Sequence, residues 1–331
     1  MLVNRVVVIG SNSFSGACFV DYLLNKGHEV YGLSRSDEPL DSFLPYKSNK
    51  NLGNFTFCRF DLNKDSQAIQ SLLSDLKPSY VVNFAAQSMV AQSWERPLDW
   101  FQTNVMSNIV LHEYLRKCDY LEKYIHISTP EVYGSTSGEI NEDERFNPST
   151  PYAVSRAACD MSLMSYYKAY NFPVIFTRAA NVYGPGQQLY RIIPKTILSI
   201  EKGEKLPLHG GGVSTRSFIH MNDVADGTYR LFTKGKPGEV YHFSTQDQIS
   251  IKDLVSLICK KMDVDFNEAV EVVGERLGKD SAYTLGSQKA RVELGWSDSI
   301  TLENGVAQTI QWFKENKNEL LNQPDKYIHK P

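Results

Sequence analysis

The sequence has no long apolar run: nothing in its 331 residues approaches the ~20 residues a helix needs to cross a bilayer. It has no basic excess either. The formal net charge is -3, which gives no global field to draw nucleic acid, although a local basic pocket for a diphosphate stays compatible with it. Its five cysteines (Cys18, Cys58, Cys118, Cys159 and Cys259) form no CxxC and no Cys/His cluster. They suit small core positions in a reducing cytoplasm, and no metal site is expected. The seven histidines are dispersed. There is no internal repeat and no low-complexity segment. The opening MLVNRVVVIG is too short for a signal peptide and runs directly into a strand pattern.

What is there is ordinary for a soluble globular protein. Hydrophobic residues make up 42% and charged residues 22%. The length suits one large α/β unit with a smaller appended domain. Short apolar, β-rich runs alternate with helical patterns through the first half. RVVVIG from Arg5, HEVYGLS, FTFCRFD ending at Asp61, YVVNFAA, YIHIST ending at Thr129 and FPVIFTR ending at Arg178 read as strands; Ser15 to Asn25 reads as a helix. Continuous apolar strands separated by helices predict a doubly wound parallel sheet of Rossmann type, covered on both faces.

After Arg178 the pattern changes. NVYGPGQQ is rich in turn formers. A helix from about Ile192, strands near Leu208 and Tyr241, and helices near Ile251 and Leu302 then predict a smaller C-terminal α/β domain that would cap the strand ends, where a substrate-binding domain is expected. The expected division is residues 1–180 for a dinucleotide and mainly 181–320 for substrate, with segments near 213–250 packing back on the first unit. The polar tail 321–331 is expected to pack loosely.

The first strand runs into Gly10-Ser11-Asn12-Ser13-Phe14-Ser15-Gly16. A glycine-rich turn before a helix lets the backbone approach a pyrophosphate at the helix N-terminus. Ser13 stands where this pattern commonly has its middle glycine. The second strand ends Ser34-Arg35-Ser36, with Asp37 following. An acidic residue at that end favours NAD, whereas Arg35 could pair with the 2′-phosphate of NADP or stay in solvent. Asp61 could meet the adenine edge or cap a helix.

The fifth strand ends Ser128-Thr129-Pro130-Glu131, and Pro151-Tyr152-Ala153-Val154-Ser155-Arg156 opens a later helix. Tyr152 and Arg156, four apart, share one helix face. A fixed cation beside a phenol favours the phenolate. With the hydroxyl of Thr129, that suits removal of a sugar hydroxyl proton during hydride transfer. Tyr and Arg at this spacing also occur on helices without any such role. Chain order with the glycine loop and the Thr-x-Glu strand end favours the catalytic reading.

The motifs NFAAQS, TNV, STPEVYGS, PYAVSRAACD, TRAANVYGPGQ, IIP, RSFIHMNDVADG, KGKPGEVYHFS and a late LGW span nearly the whole chain. In them the sequence resembles the nucleoside-diphosphate-hexose 4,6-dehydratases of the extended short-chain dehydrogenase/reductase superfamily, especially the dTDP-glucose 4,6-dehydratases. The resemblance implies a homodimer and a bound nicotinamide dinucleotide, NAD with NADP as the alternative. For the cofactor it implies contacts from Gly10, Ser13, Phe14, Gly16, Arg35, Asp61, Leu62, Ala85, Ala86, Asn104, Tyr152 and Arg156. Tyr152 would be the base at the C4 hydroxyl, sharing that bond with Thr129, and Glu131 would remove the C5 proton. Arg156 stands where the family has a lysine on the nicotinamide ribose. Gln87, Asn181, Arg191, Ile192, Pro194, Arg216 and Arg276 would bind the nucleotide sugar, the last two arginines clamping its diphosphate.

This sequence departs from the dTDP-glucose pattern at three positions. Pro130 replaces an aspartate that acts as the acid for water loss; GDP-mannose dehydratases carry a serine there, so that Glu131 alone would serve as base and then acid. Arg156 replaces lysine, and His242 replaces asparagine. A GDP- or CDP-hexose dehydratase, a 4-epimerase or a decarboxylase remains the alternative within enzymes. A dinucleotide-sensing protein without catalysis is the alternative outside them. Epimerases generally lack a glutamate two residues after the strand-end hydroxyl; decarboxylases share it.

Overall fold

The computed structural model describes residues 4–135, 138–142, 145–274 and 284–330. Its centre is a seven-stranded sheet built from β1 (Arg5–Ile9), β2 (Glu29–Ser34), β3 (Phe55–Arg59), β4 (Tyr80–Asn83), β5 (Lys123–Ile127), β6 (Val174–Ala179) and β7 (Val240–Phe243). The order is β7-β6-β5-β4-β1-β2-β3, and every pairing is parallel. This is the doubly wound Rossmann-type architecture read from the continuous apolar runs. The strand order reverses between β1 and β4, and such sheets bind ligands at the carboxyl ends of the strands flanking that reversal.

Alternation along β1 explains why both faces are covered. Val6 and Val8 pack on one side with Phe19 and Leu23 of α1 (Phe14–Asn25). Val7 and Ile9 pack on the other with Leu73 of α2 (Ser66–Leu76) and, further along the layer, Leu163 of α6 (Pro151–Tyr170). Between α2 and α6 in the chain lie α3 (Val90–Glu95), α4 (Pro97–Phe101) and α5 (Ser107–Leu115). The helix α1 begins one residue earlier than the pattern predicts, because Ser13 caps it.

Beyond β6 a separate apolar cluster forms around Ile193, Ile197, Leu254, Ile258, Ile310 and Phe313. It joins α7 (Ile192–Lys202) to helices Ile251–Met262 and Leu302–Glu315. The chain returns to the main sheet through β7, with Tyr241 opposite Thr177. The tail differs from expectation. Instead of packing loosely, it runs back to the main sheet, where the Lys330 carbonyl accepts a 2.7 Å hydrogen bond from Gln87 Nε2. Among the described residues no helix is long and apolar enough to cross a membrane.

Candidate active site

The loop between β1 and α1 is shaped by close backbone approach. Gly10 has φ +84°, and a Cβ there would stand 2.7 Å from the Ala85 nitrogen of the neighbouring loop. A Cβ on Gly16 would overlap the Gly10 carbonyl oxygen. Ser13 needs no glycine freedom, since its φ of -73° is open to any residue. Its hydroxyl donates to the Gly10 carbonyl at 2.7 Å and accepts from Gly16 N at 3.0 Å, so it caps α1 and braces the turn together. Asn12 ties the loop to the end of β2: its backbone N–H donates to Ser34 Oγ, and its amide donates to the carbonyls of Ser36 and Asp37.

These contacts open a cavity of about 190 Å³ at the switch point. Gly10, Ser13, Arg35, Asp61, Leu62, Ala85, Ala86 and Gln87 line it, as do Ser34 and Ser36. Five of the expected cofactor contacts do not line it: Tyr152 and Arg156 of α6, and Phe14, Gly16 and Asn104, which sit behind that wall. The Phe14 side chain is packed in the α1 core, and Gly16 lies against Gly10. Asn104 is fully buried, bridging Gln87 and Ser155: its Oδ1 accepts from the Gln87 N–H and its Nδ2 donates to Ser155 Oγ. Asp61 accepts from the Asn63 N–H through Oδ1, a local turn contact rather than a helix cap.

The carboxyl end of β5 and the first turn of α6 bring the second group together. Thr129 ends the strand region and caps a short 3-10 turn, accepting from the Glu131 N–H. Pro130 is buried at the first position of that turn, where it has no proton to give. Tyr152 is the second residue of α6, whose N-cap is Thr150, and it is only 8% exposed. Burial, and next the Glu131 carboxylate, push the phenol pKa up. Arg156, a hydrogen bond with Thr129, and Arg191 pull it down. Thr129, Glu131, Arg156 and Arg191 therefore share one electrostatic neighbourhood centred on Tyr152.

Arg156 is not on the cavity wall. It is 2% exposed, and its Nη2 donates to the Ile127 carbonyl of β5 and faces His126 Nε2. This differs from the expected ribose contact, because the guanidinium is longer than an ammonium and reaches the strand backbone. Beneath it lies a buried network the motifs did not disclose. Asp160 receives Ser128 Oγ at 2.6 Å and Arg178 Nη2 at 2.7 Å, while Arg178 Nη1 also donates to the Tyr133 hydroxyl. Arg156 and Asp160 are four apart on α6 and so share one face of that helix, though Asp160 takes Ser128 and Arg178 as partners rather than Arg156. His242, one of the departures, is fully buried in β7, with Nε2 2.8 Å from Tyr133 Oη and Nδ1 3.1 Å from the Gly286 carbonyl. Burial, then Arg178, pulls its pKa down to about 3, so it is a neutral structural residue.

On the substrate side, Asn181 donates to the Ser217 carbonyl and Arg216 to the Thr215 carbonyl. Arg191 precedes α7, is exposed, and lies over the Tyr190 ring at 5.5 Å. Ile192 packs into the C-terminal core and Pro194 is buried. Their side chains are structural, and a proline so near the helix start removes no intrahelical bond. The carboxamide of Gln87, expected to meet substrate, is bonded to the tail. Arg276 lies outside the described residues.

A parallel sheet with a braced glycine turn at its switch point, and a Thr/Tyr pair at the next strand end, defines a dinucleotide-dependent enzyme of the short-chain dehydrogenase/reductase type. A family model described as GDP-mannose 4,6 dehydratase matches residues 7–309. The dTDP-D-glucose 4,6-dehydratase of Homo sapiens is 32% identical over 326 residues, covering 96% of this chain and 92% of that protein. The dTDP-glucose 4,6-dehydratase of Streptomyces venezuelae, solved with NAD bound, superposes with a TM-score of 0.85 at 29% identity, over 96% of this chain and all of that one. The UDP-glucose 4-epimerase of Thermotoga maritima gives 0.86 at 26% identity, over 95% of this chain and 99% of that one. The chain belongs to the GDP-mannose 4,6-dehydratase family of extended short-chain dehydrogenases/reductases. Dehydratases and epimerases share this fold equally well, so the side chains must separate them.

Proposed function

We propose that the chain is a nucleoside-diphosphate-hexose 4,6-dehydratase that converts dTDP-glucose to the 4-keto-6-deoxy sugar, with NAD as its cofactor. The observation that carries this reading is Glu131, two residues beyond Thr129 and near enough to Tyr152 to raise its pKa. A dehydration needs a base at C5; a simple 4-epimerisation does not. The relatives named as dTDP-glucose dehydratases support the choice of base and hexose. The cavity, and a glycine turn whose backbone no Cβ could approach, fit a dinucleotide pyrophosphate.

A nicotinamide dinucleotide held along the β1–α1 turn and the cavity lined by Gly10, Ser13 and Ala85 would supply reversible hydride acceptance for C4 and C6. Tyr152 takes the C4 hydroxyl proton with Thr129 sharing the hydrogen bond, and the charges of Arg156 and Arg191 favour its phenolate. The 4-ketone acidifies the C5–H bond. Glu131 takes that proton and hands it to the C6 hydroxyl, which leaves as water while a C5=C6 double bond forms. Reduction at C6 and reprotonation at C5 complete the product, with one water lost and no net oxidation. Pro130 cannot act as an acid, so Glu131 carries both proton steps. Arg216 and Arg276 are assigned to the diphosphate, and Asn181 with the Arg191–Pro194 segment to the rest of the nucleotide sugar.

Incubation with dTDP-glucose, GDP-mannose, CDP-glucose and UDP-sugars, followed by mass spectrometry, tests the reading. Loss of water from dTDP-glucose is expected; loss from none of them would overturn it. Extraction of the bound cofactor should yield NAD, and a predominance of NADP, with Arg35 on its phosphate, would reverse that choice. A cytoplasmic enzyme fits five unpaired thiols. A homodimer fits the apolar side chains on α4, α6 and the segment joining α4 to α5: Leu98, Met106 and Met161 are 80%, 57% and 62% exposed. A monomer in light scattering at micromolar concentration would contradict it.

A further inference from the structure

The tail has no part in the chemistry above, yet its side chains alternate. Gln323, Asp325, Tyr327 and His329 are half-buried, while Pro324, Lys326, Ile328 and Lys330 face solvent. That period of two marks an extended segment lying against a surface. The surface is the edge of the site. The Tyr327 hydroxyl lies 3.5 Å from Gln87 Oε1 and 3.3 Å from His329 Nδ1. His329 Nε2 is 2.8 Å from Asp99 Oδ2, and the imidazole stacks on the fully buried Trp100 with ring centres 5.0 Å apart and planes 14° apart. Across the cleft, the Tyr327 ring meets Tyr190 at 5.6 Å. Arg191, the next residue, acts electrostatically on both Tyr327 and the catalytic-site Tyr152.

Gln87 is thus held at both ends. Asn104 fixes its backbone, and the tail engages both atoms of its carboxamide. We propose that residues 325–330 form a strap that completes the nucleotide-sugar site, with Tyr327 and His329 as positioning residues. They lock Gln87 on the dinucleotide side to the Tyr190–Arg191 loop on the substrate side. The strap acts on binding geometry and touches no reacting atom. A misplaced Arg191 would lose substrate affinity, whereas the Thr129, Glu131 and Tyr152 groups would keep their places on β5 and α6.

The inference rests on the dehydratase reading only for the identity of its substrate. In the full chain, His329→Ala should raise the KM for dTDP-glucose about tenfold with kcat within about twofold. Tyr327→Phe keeps the ring on Tyr190 but loses the hydroxyl contacts, and should fall between His329→Ala and wild type. Tryptophan emission should rise in His329→Ala, because a stacked imidazole quenches the indole. Emission unchanged by the substitution would mean that the strap is not docked. Raised emission with an unchanged KM would mean that it docks without positioning anything; either result overturns the proposal. Calorimetric Kd values for dTDP, GDP and UDP need no turnover. A tenfold weaker Kd in His329→Ala, with no water loss even in wild type, would sink the dehydratase reading and leave the strap standing. Equal Kd values would sink the strap whatever the activity.

Discussion

In Tyr152, burial and the Glu131 carboxylate outweigh Arg156, the Thr129 hydrogen bond and Arg191, so its pKa is raised and it holds its proton at neutral pH. C4 oxidation should therefore speed up between about pH 6 and about pH 9, and a profile that fell over that range would contradict the assignment. Tyr152→Phe should lower the rate of cofactor reduction by roughly a hundredfold to ten-thousandfold while leaving cofactor binding intact. Glu131→Gln should act later. It keeps size and hydrogen bonding but cannot accept the C5 proton, so reduced cofactor and a 4-keto sugar should accumulate, visible as near-ultraviolet absorbance. Normal product formation by this variant would assign the proton shuttle to another residue. The identities of Thr129, Glu131 and Tyr152 were legible because strand end, turn and helix start lie close in sequence. The environment of Arg156 was not, since it depends on Ile127, His126 and a side-chain length that only packing resolves.

The β1–α1 turn was legible as an element because its glycines mark sharp geometry, although Ser13 interrupts the motif. The serine hydroxyl explains the tolerance: it makes two hydrogen bonds that a glycine could not. Gly16 has no such latitude. Gly16→Ala would drive a methyl group into the Gly10 carbonyl, and relief should cost roughly 1–3 kcal/mol and loosen the pyrophosphate cradle. Lower thermal stability with reduced cofactor retention is the expected outcome; a fully cofactor-loaded variant of wild-type stability would contradict it. A π-helical turn at Gln102–Met106 interrupts the helical stretch from α4 to α5. Asn104 lies in that turn, bonded to Gln87 and Ser155 from distant segments, and local periodicity carries no trace of such partners. The tail escaped for a related reason: its composition is polar, and the alternation of Asp325, Tyr327 and His329 gains meaning only beside Asp99, Trp100 and Gln87.

At the scale of the molecule, buried neutral histidines set the acid limit. Burial, the largest cause in each case, pulls His112 and His126 well below the ordinary imidazole value, His220 down to about 4 and His242 down to about 3. His126 faces Asp160 at 3.5 Å, but burial and then Arg156 and Arg178 outweigh that carboxylate. The unfolded chain takes up these protons first as pH falls. Their contribution is therefore complete above about pH 6.5 and is lost toward the folded pKa values, by roughly 1.4 kcal/mol per pH unit for each such residue. The urea midpoint should fall between about pH 7 and about pH 5; a constant midpoint would contradict neutral burial. The parallel class of the sheet was legible from strands alternating with helices, whereas its order, its seventh strand at Val240–Phe243 and the buried histidine network required the fold itself. The central claim, internal transfer of hydrogen during water loss, is tested most directly with dTDP-glucose carrying deuterium at C4. Mass spectrometry and NMR of the product formed in ordinary water should find that deuterium in the C6 methyl group. Deuterium washed into solvent, or still at C4 of a sugar that has lost no water, would contradict it.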